Sequence, residues 1–217
     1  VLKSTWKRNE MILGTLDNSS DINIQIFNNS DKVWTPLLEV ATDTLPNGQR
    51  SFDIAYEDLS GDALIVYDNS SSNDSFVQYT TWNGSRFSQF DNITQVDAAF
   101  TDAKGAIPFV LLFPQLKTDN IMLMFTNNTP SDNGSGLFAV PWTGSSFNMA
   151  HALVLTNDSF SVKKQGFAFA WEGLSGDGAA FYGDHSTGSR GMFMRTYNLT
   201  TGWGEKQQIA SFVSTIT

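Results

Sequence analysis

Along Ser51–Glu57 the apolar side chains Phe52, Ile54 and Tyr56 fall on every second residue. A period of two puts them on one side of an extended chain and predicts a half-buried strand. Leu64 and Val66, with Ala63, Ile65 and Tyr67 around them, form a run with no polar interruption, the pattern of a strand buried on both faces. Phe76–Trp82 follows and is β-branched and aromatic. Turn signals separate these runs: Leu59-Ser60-Gly61-Asp62, Asp68-Asn69-Ser70 and Asn83-Gly84-Ser85. The pattern predicts three or four antiparallel strands joined by hairpins. Asn92–Lys104 is the one candidate helix, and Gly105 with Pro108 cuts it short. Helix is therefore expected in under about a tenth of the chain, well below the usual third.

The same pattern recurs. Ser51–Asp62 reads SFDIAYEDLSGD and Gly166–Asp177 reads GFAFAWEGLSGD, and the alignment runs without a gap to Trp82-Asn83, which meets Tyr197-Asn198. A middle copy pairs Leu123–Asn127 with Ile65–Asn69, and Trp142-Thr143-Gly144 with Trp82-Asn83-Gly84. A worn first copy shows in Asp17-Asn18 and Phe27-Asn28. The unit is about 55 to 60 residues, and the chain holds between three and four of them. We read one all-β repeat domain with units near 1–40, 41–95, 96–150 and 151–217.

Four-stranded sheets repeated at this spacing suggest a β-propeller-like array, with a β-sandwich built from the same hairpins as the alternative. The strand, turn and aromatic-Asn-Gly hairpin resembles the blades of glycosylated archaeal or bacterial cell-surface proteins, rich in Trp-Asn-Gly. It resembles more loosely the fucose-binding propeller lectins. In those lectins an Arg and a Glu between blades hold sugar. Arg86, Arg190 and Arg195 here do not recur at one register, so no sugar site is carried over.

Composition narrows the chemistry. Of 217 residues only 16% are charged, while Ser, Thr and Asn number 23, 20 and 17. The polar surface is therefore mostly uncharged. A net charge of −9 argues against nucleic acid and anionic membrane as partners, since both need a basic face. The longest apolar stretch, Ala106–Leu116, is too short for a bilayer and is broken by Pro108 and Pro114, so no membrane insertion is expected. The absence of cysteine removes disulfides and thiol chemistry, and two histidines, His151 and His185, leave little for zinc or His-based catalysis. The chain starts in mid-pattern at Val1 and reads as a mature form or a piece of something longer.

The sharpest motif is the N-glycosylation acceptor Asn-x-Ser/Thr, at Asn18, Asn28, Asn69, Asn73, Asn83, Asn92, Asn127, Asn133, Asn157 and Asn198. Chance at this composition gives about three or four. Turn chemistry draws Asn and Ser together and explains part of the excess. The rest points to covalent N-linked glycans, and so to surface positions, with Asn69, Asn83, Asn127 and Asn198 at repeat-equivalent turns.

Other chemistry is weaker. Glu57 and Glu172 share a repeat position, as do Asp62 and Asp177; two-fold repetition is what a turn needs, whereas glycoside hydrolysis needs an asymmetric carboxylate pair. His185 beside Asp184 and Ser186 lacks a nucleophile elbow. Asp68–Asp74 carries oxygen ligands without EF-hand spacing. Trp82, Trp142 and Trp203 read as hairpin packing before sugar platforms. Lys163-Lys164 is too short for a basic patch.

Together these features predict a structural, heavily N-glycosylated subunit of an extracellular filament, surface layer or coat. It would be located at the cell surface, without cofactor, metal or catalytic residues, and not an enzyme. A carbohydrate-binding, lectin-like module is the alternative. The expected partner is a second copy of the chain, through head-to-tail contacts or addition of the terminal strand Ile209–Thr217; that strand pairing within its own chain to close a ring is the other outcome.

Overall fold

The computed structural model describes residues 1–42, 44, 50–69, 76–93, 109–128, 135–159, 165–185 and 190–211. They form four antiparallel sheets in chain order. Sheet I holds β1 (Leu2–Thr5), β2 (Glu10–Leu16), β3 (Ile22–Asn28), β4 (Val33–Trp34) and β5 (Leu38–Ala41), with β4 and β5 both paired to β3. Sheet II holds β6 (Phe52–Tyr56), β7 (Ala63–Asn69), β8 (Phe76–Trp82) and β9 (Asp91–Asn92). Sheet III holds β10 (Phe109–Pro114), β11 (Asn120–Asn128), β12 (Ser135–Thr143) and β13 (Leu153–Ser159). Sheet IV holds β14 (Phe167–Trp171), β15 (Gly178–Asp184), β16 (Gly191–Asn198), β17 (Gly202–Trp203) and β18 (Gln207–Ser211), the last two both on β16. The helical content among the described residues is one 3-10 turn, Met149–His151. The candidate helix falls outside the described residues beyond Ile93.

The repeat is exact in register. β14, β15 and β16 begin 115 residues after β6, β7 and β8. Ala63 faces Trp82 across the β7–β8 pair, and Gly178 faces Tyr197 across β15–β16. One unit boundary needs correction. The expected break at 150/151 cuts sheet III, because β13 pairs with β12. The hairpin aromatics mark the first three strands of a unit; the fourth follows a longer connection and carries no motif of its own.

The four sheets pack face to face in succession, and three apolar layers lie between them. Ile12, Ile24, Ile54 and Ile65 belong to the layer between I and II. Leu64, Val66, Leu123 and Phe125 belong to the layer between II and III. Met122, Met124, Ala180 and Tyr182 belong to the layer between III and IV. Alternation sends neighbouring residues of β7 and β11 into opposite layers, so both strands are apolar at every central position. Each adjacent pair of sheets packs face to face like a sandwich, so the chain is the all-β, antiparallel repeat array that the sequence predicted. Sheet-to-sheet contacts run from I to II, II to III and III to IV.

Polar ties hold the inner strands together. Asp53 of β6 is buried; it accepts from Arg50 at 2.6 Å on one oxygen and from the Leu112 backbone N–H of β10 at 2.9 Å on the other. The Val110 N–H donates to the Arg50 carbonyl at 2.8 Å. β18 pairs with β16 in its own sheet, Met192 opposite Ala210. The β16 edge would otherwise leave backbone groups unpaired. Gly191 permits the approach, since a Cβ there would sit 2.2 Å from the Ala210 carbonyl oxygen. Pairing to β16 does not close a ring, and residues 212–217 lie outside the described residues.

Candidate functional site

The Leu-Ser-Gly-Asp turns sit at the sheet junctions. In sheet II, Gly61 has φ +74°, and in sheet IV Gly176 has φ +78°, the left-handed conformation that favours glycine. The Ser60 and Ser175 hydroxyls accept from the Asp62 and Asp177 backbone N–H groups, at 2.9 and 3.1 Å. This much is the turn role read from the sequence.

The two glutamates that open these turns then part company. Glu57 is 2% exposed. The Trp142 indole N–H of sheet III donates to its Oε1 at 2.6 Å, and the Ser60 hydroxyl donates to its Oε2 at 2.5 Å. Burial pushes the Glu57 carboxyl up to about 7, more than the two hydrogen bonds pull it down, and the negative Asp119 and Asp62 nearby add to the rise. Glu172 is exposed, and the Ser175 and Leu174 backbone N–H groups of its own turn hold it below the usual carboxylate range.

Neighbouring sheets grip the sheet II turn from both sides. Arg8 of sheet I donates to the Gly61 carbonyl at 2.6 Å and pairs with Asp62. Asp119 of sheet III accepts from the Leu59 and Ser60 N–H groups, each at 2.9 Å. Beside the turn, between sheets II and III, opens a cleft of about 400 Å³. Glu57, Asp62, Tyr79, Thr81, Ser88 and Trp142 are among its walls. Tyr79 meets Trp142 edge-on, with ring centroids 5.6 Å apart, and Phe147 at 5.1 Å. The cleft thus joins an aromatic wall to a carboxyl that both takes up and gives up a proton near neutral pH.

The tryptophans pack as expected and also reach back to the preceding sheet. Trp82 donates to the buried Glu10 of sheet I at 3.0 Å, and Tyr56 donates to the same oxygen at 3.1 Å. Burial, then the Glu10 charge, raises the Tyr56 pKa. In sheet IV, Trp171 donates to the Phe113 carbonyl at 2.8 Å and Trp203 to the His151 carbonyl at 2.9 Å. Asp184, next to His185, is buried and pairs with Lys206. Most of Asp68–Asp74 and all of Lys163-Lys164 lie outside the described residues, among which no three His, Asp or Glu gather as metal ligands.

The acceptor asparagines scatter. Asn18, Asn28, Asn83 and Asn157 are exposed. Asn198 is half-buried, its Nδ2 donating to Asp177 at 2.6 Å. Asn127 corrects the expectation: it is 2% exposed within β11, opposite Gly136, and its buried Oδ1 has no hydrogen-bond partner among the described residues. Asn69 and Asn92 lie in β7 and β9 with their side chains outside the description, and Asn73 and Asn133 lie outside the described residues.

Sequence reasoning missed Arg8, Tyr79 and Asp119, which come to the cleft or its turn from three different sheets. Tyr79 lies in the repeated strand Phe76–Trp82 without a signal of its own, and Arg8 and Asp119 lie outside the repeat motifs. Only the offset of about 58 residues between units, which sets Asp119 and Asn120 of sheet III beside the turn positions of sheet II, hints at the junction.

No protein-family model matches the chain, and no curated protein matches it. Solved structures do. The polysaccharide lyase PL25 ulvan lyase bound to -[GlcA(1-4)Rha3S]- has a TM-score of 0.55 and 13% identity, over 94% of this chain and 54% of the lyase. A second structure of the PL25 ulvan lyase gives 0.53 with the same identity and coverage. The catalytic domain of a Coprinopsis cinerea GH62 alpha-L-arabinofuranosidase gives 0.49 at 14% identity, over 94% of this chain and 65% of that domain. The chain spans about half the length of the lyase. These likenesses correct one expectation: a stack of sheets like this one forms part of an enzyme in the ulvan lyase, so repeat architecture is no ground for reading the chain as a non-enzyme.

Proposed function

We propose that the chain is a carbohydrate-recognising, propeller-like unit whose saccharide contact is the cleft between sheets II and III. One observation carries this reading: Glu57 lies buried at the cleft, fastened by Trp142, with its carboxyl pushed up to about 7 beside the Tyr79 ring. A cavity of about 400 Å³ is in the size range of small-ligand sites. An aromatic face with a few fixed polar groups suits a sugar ring, which has an apolar face and a polar rim. The shared fold with an ulvan lyase solved with an oligosaccharide supports the same class of ligand.

The test is titration calorimetry of the chain against neutral and uronic-acid oligosaccharides, with turnover followed in the same samples. Tyr79→Ala and Glu57→Gln should each weaken binding roughly tenfold or more, the effect of losing one stacked or hydrogen-bonded contact. If no saccharide binds the wild-type chain, the reading fails.

A second reading rests on the exposure of Asn18, Asn28, Asn83 and Asn157. Exposed acceptors in a chain with ten such motifs and no cysteine favour a glycosylated extracellular subunit of a cell-surface filament, layer or coat. Both readings fit one protein, since a surface unit can also hold sugar.

A further inference from the structure

We propose that the outward face of sheet IV is a docking surface for the outward face of sheet I of a second copy of this chain. The inference does not depend on the saccharide cleft. It rests on the repeat, which shows what a covered face looks like and where one stands uncovered.

Ala55, Leu64, Val66 and Val77 of sheet II are buried against sheet III. The residues 115 positions later are Ala170, Ala179, Phe181 and Met192, which are also apolar. By register they point to the side of sheet IV away from sheet III. Phe181 and Met192 are 37% and 42% exposed there. The turn beside them repeats the arrangement: Glu57 receives an indole N–H from the sheet that follows, whereas Glu172 receives hydrogen bonds from its own turn only, among the described residues. Leu174 next to it is 97% exposed. Sheet IV therefore carries the residues of a covered face, and among the described residues no sheet lies upon it.

Sheet I carries the complement. At each internal junction the later sheet approaches with its hairpin aromatics and gives an indole N–H to the earlier one. The corresponding pair in sheet I is Phe27 and Trp34, with centroids 5.1 Å apart, against 4.9 Å for Tyr197 and Trp203 in sheet IV. Trp203 donates to sheet III; Trp34 is 42% exposed, and its indole N–H has no hydrogen-bond acceptor among the described residues. Leu2, also exposed, and Met11 and Leu13 lie on this same face, opposite to Ile12 and Ile24, which face sheet II. The free face of sheet I is thus built like the faces that cover a preceding sheet, and the free face of sheet IV like those that are covered. Joining them makes a heterologous contact, which closes into a ring or continues as a filament.

Sedimentation velocity across a concentration series tests this on the full chain. The wild type should form a dimer or larger species. Met192→Arg on sheet IV and Leu2→Arg on sheet I both change exposed side chains, and melting curves verify that each variant folds. Each should raise the dissociation constant roughly tenfold or more, because a charge is buried without a partner. An equimolar mixture of the two should regain a dimer, since one unaltered sheet I meets one unaltered sheet IV. A wild type that stays monomeric overturns the proposal. So does a Leu2→Arg variant that assembles like the wild type, which would assign the contact to sheet IV against itself.

Discussion

A carboxyl reports its surroundings through its proton. Glu57 and Glu172 open the same six-residue motif, yet burial raises one and backbone N–H groups lower the other. The consequence for stability has a definite sign. The Glu57 carboxyl titrates near 4.5 when exposed and at about 7 in the folded chain. Between these values the unfolded chain releases a proton that the folded one keeps, so stability falls as pH rises through this window. At 1.36 kcal/mol per pKa unit the loss from this one group is about 3 kcal/mol. Urea denaturation at a series of pH values should show that slope in the wild type and a flatter one in Glu57→Gln; equal slopes would refute the assignment. Trp142→Phe removes the donor from Oε1 and should cost about 1–3 kcal/mol, the penalty for a buried acceptor left unsatisfied. It should also move the Glu57 titration upward, because the indole bond favours the charged form.

At the scale of the element, the turns are as specific as the strands. Gly61 holds φ +74°, and a Cβ there would lie 2.9 Å from the Lys7 Cβ. Gly61→Ala should therefore destabilise the chain by about 1–2 kcal/mol, the cost of a left-handed non-glycine residue, with the contact to Lys7 in addition. Gly173 lies in the corresponding turn of sheet IV with nothing within 4 Å of an added Cβ. Gly173→Ala should stay within about 0.5 kcal/mol of the wild type. Thermal melts of the two variants side by side decide the point, and equal losses would show that the turn conformation is not what matters at Gly61. The strands were legible because alternation and turn residues are local. β13 was not, because Leu153–Ser159 becomes a strand through its pairing with β12 and not through any motif within it.

At the scale of the whole molecule, the four sheets of the described residues make three covered junctions, and among those residues nothing covers the outer faces of sheets I and IV. Glycan placement follows the same geometry. An oligosaccharide must reach solvent, so Asn18, Asn28, Asn83 and Asn157 should be occupied in protein made by its native host, and Asn127 should be bare. Glycopeptide mass spectrometry measures this directly; a sugar on Asn127 of the folded chain would contradict its burial in β11.

The sequence by itself determined the class of fold, the strands of the repeat and the special conformation of Gly61 and Gly176, since each follows from the order of a few adjacent residues. The 115-residue match between sheets II and IV was likewise readable, because repeated packing demands repeated side chains. Only the tertiary structure decided what those matched residues do. Asn69 and Asn127 align as acceptors, yet the burial of Asn127 is set by the sheets around it and not by its three-residue motif. Arg8, Tyr79 and Asp119 meet around one turn because sheets I, II and III stack. Glu57 and Glu172 are the same letter in the same motif; a following sheet covers the first and none among the described residues covers the second, and that difference in solvent sets their chemistry apart.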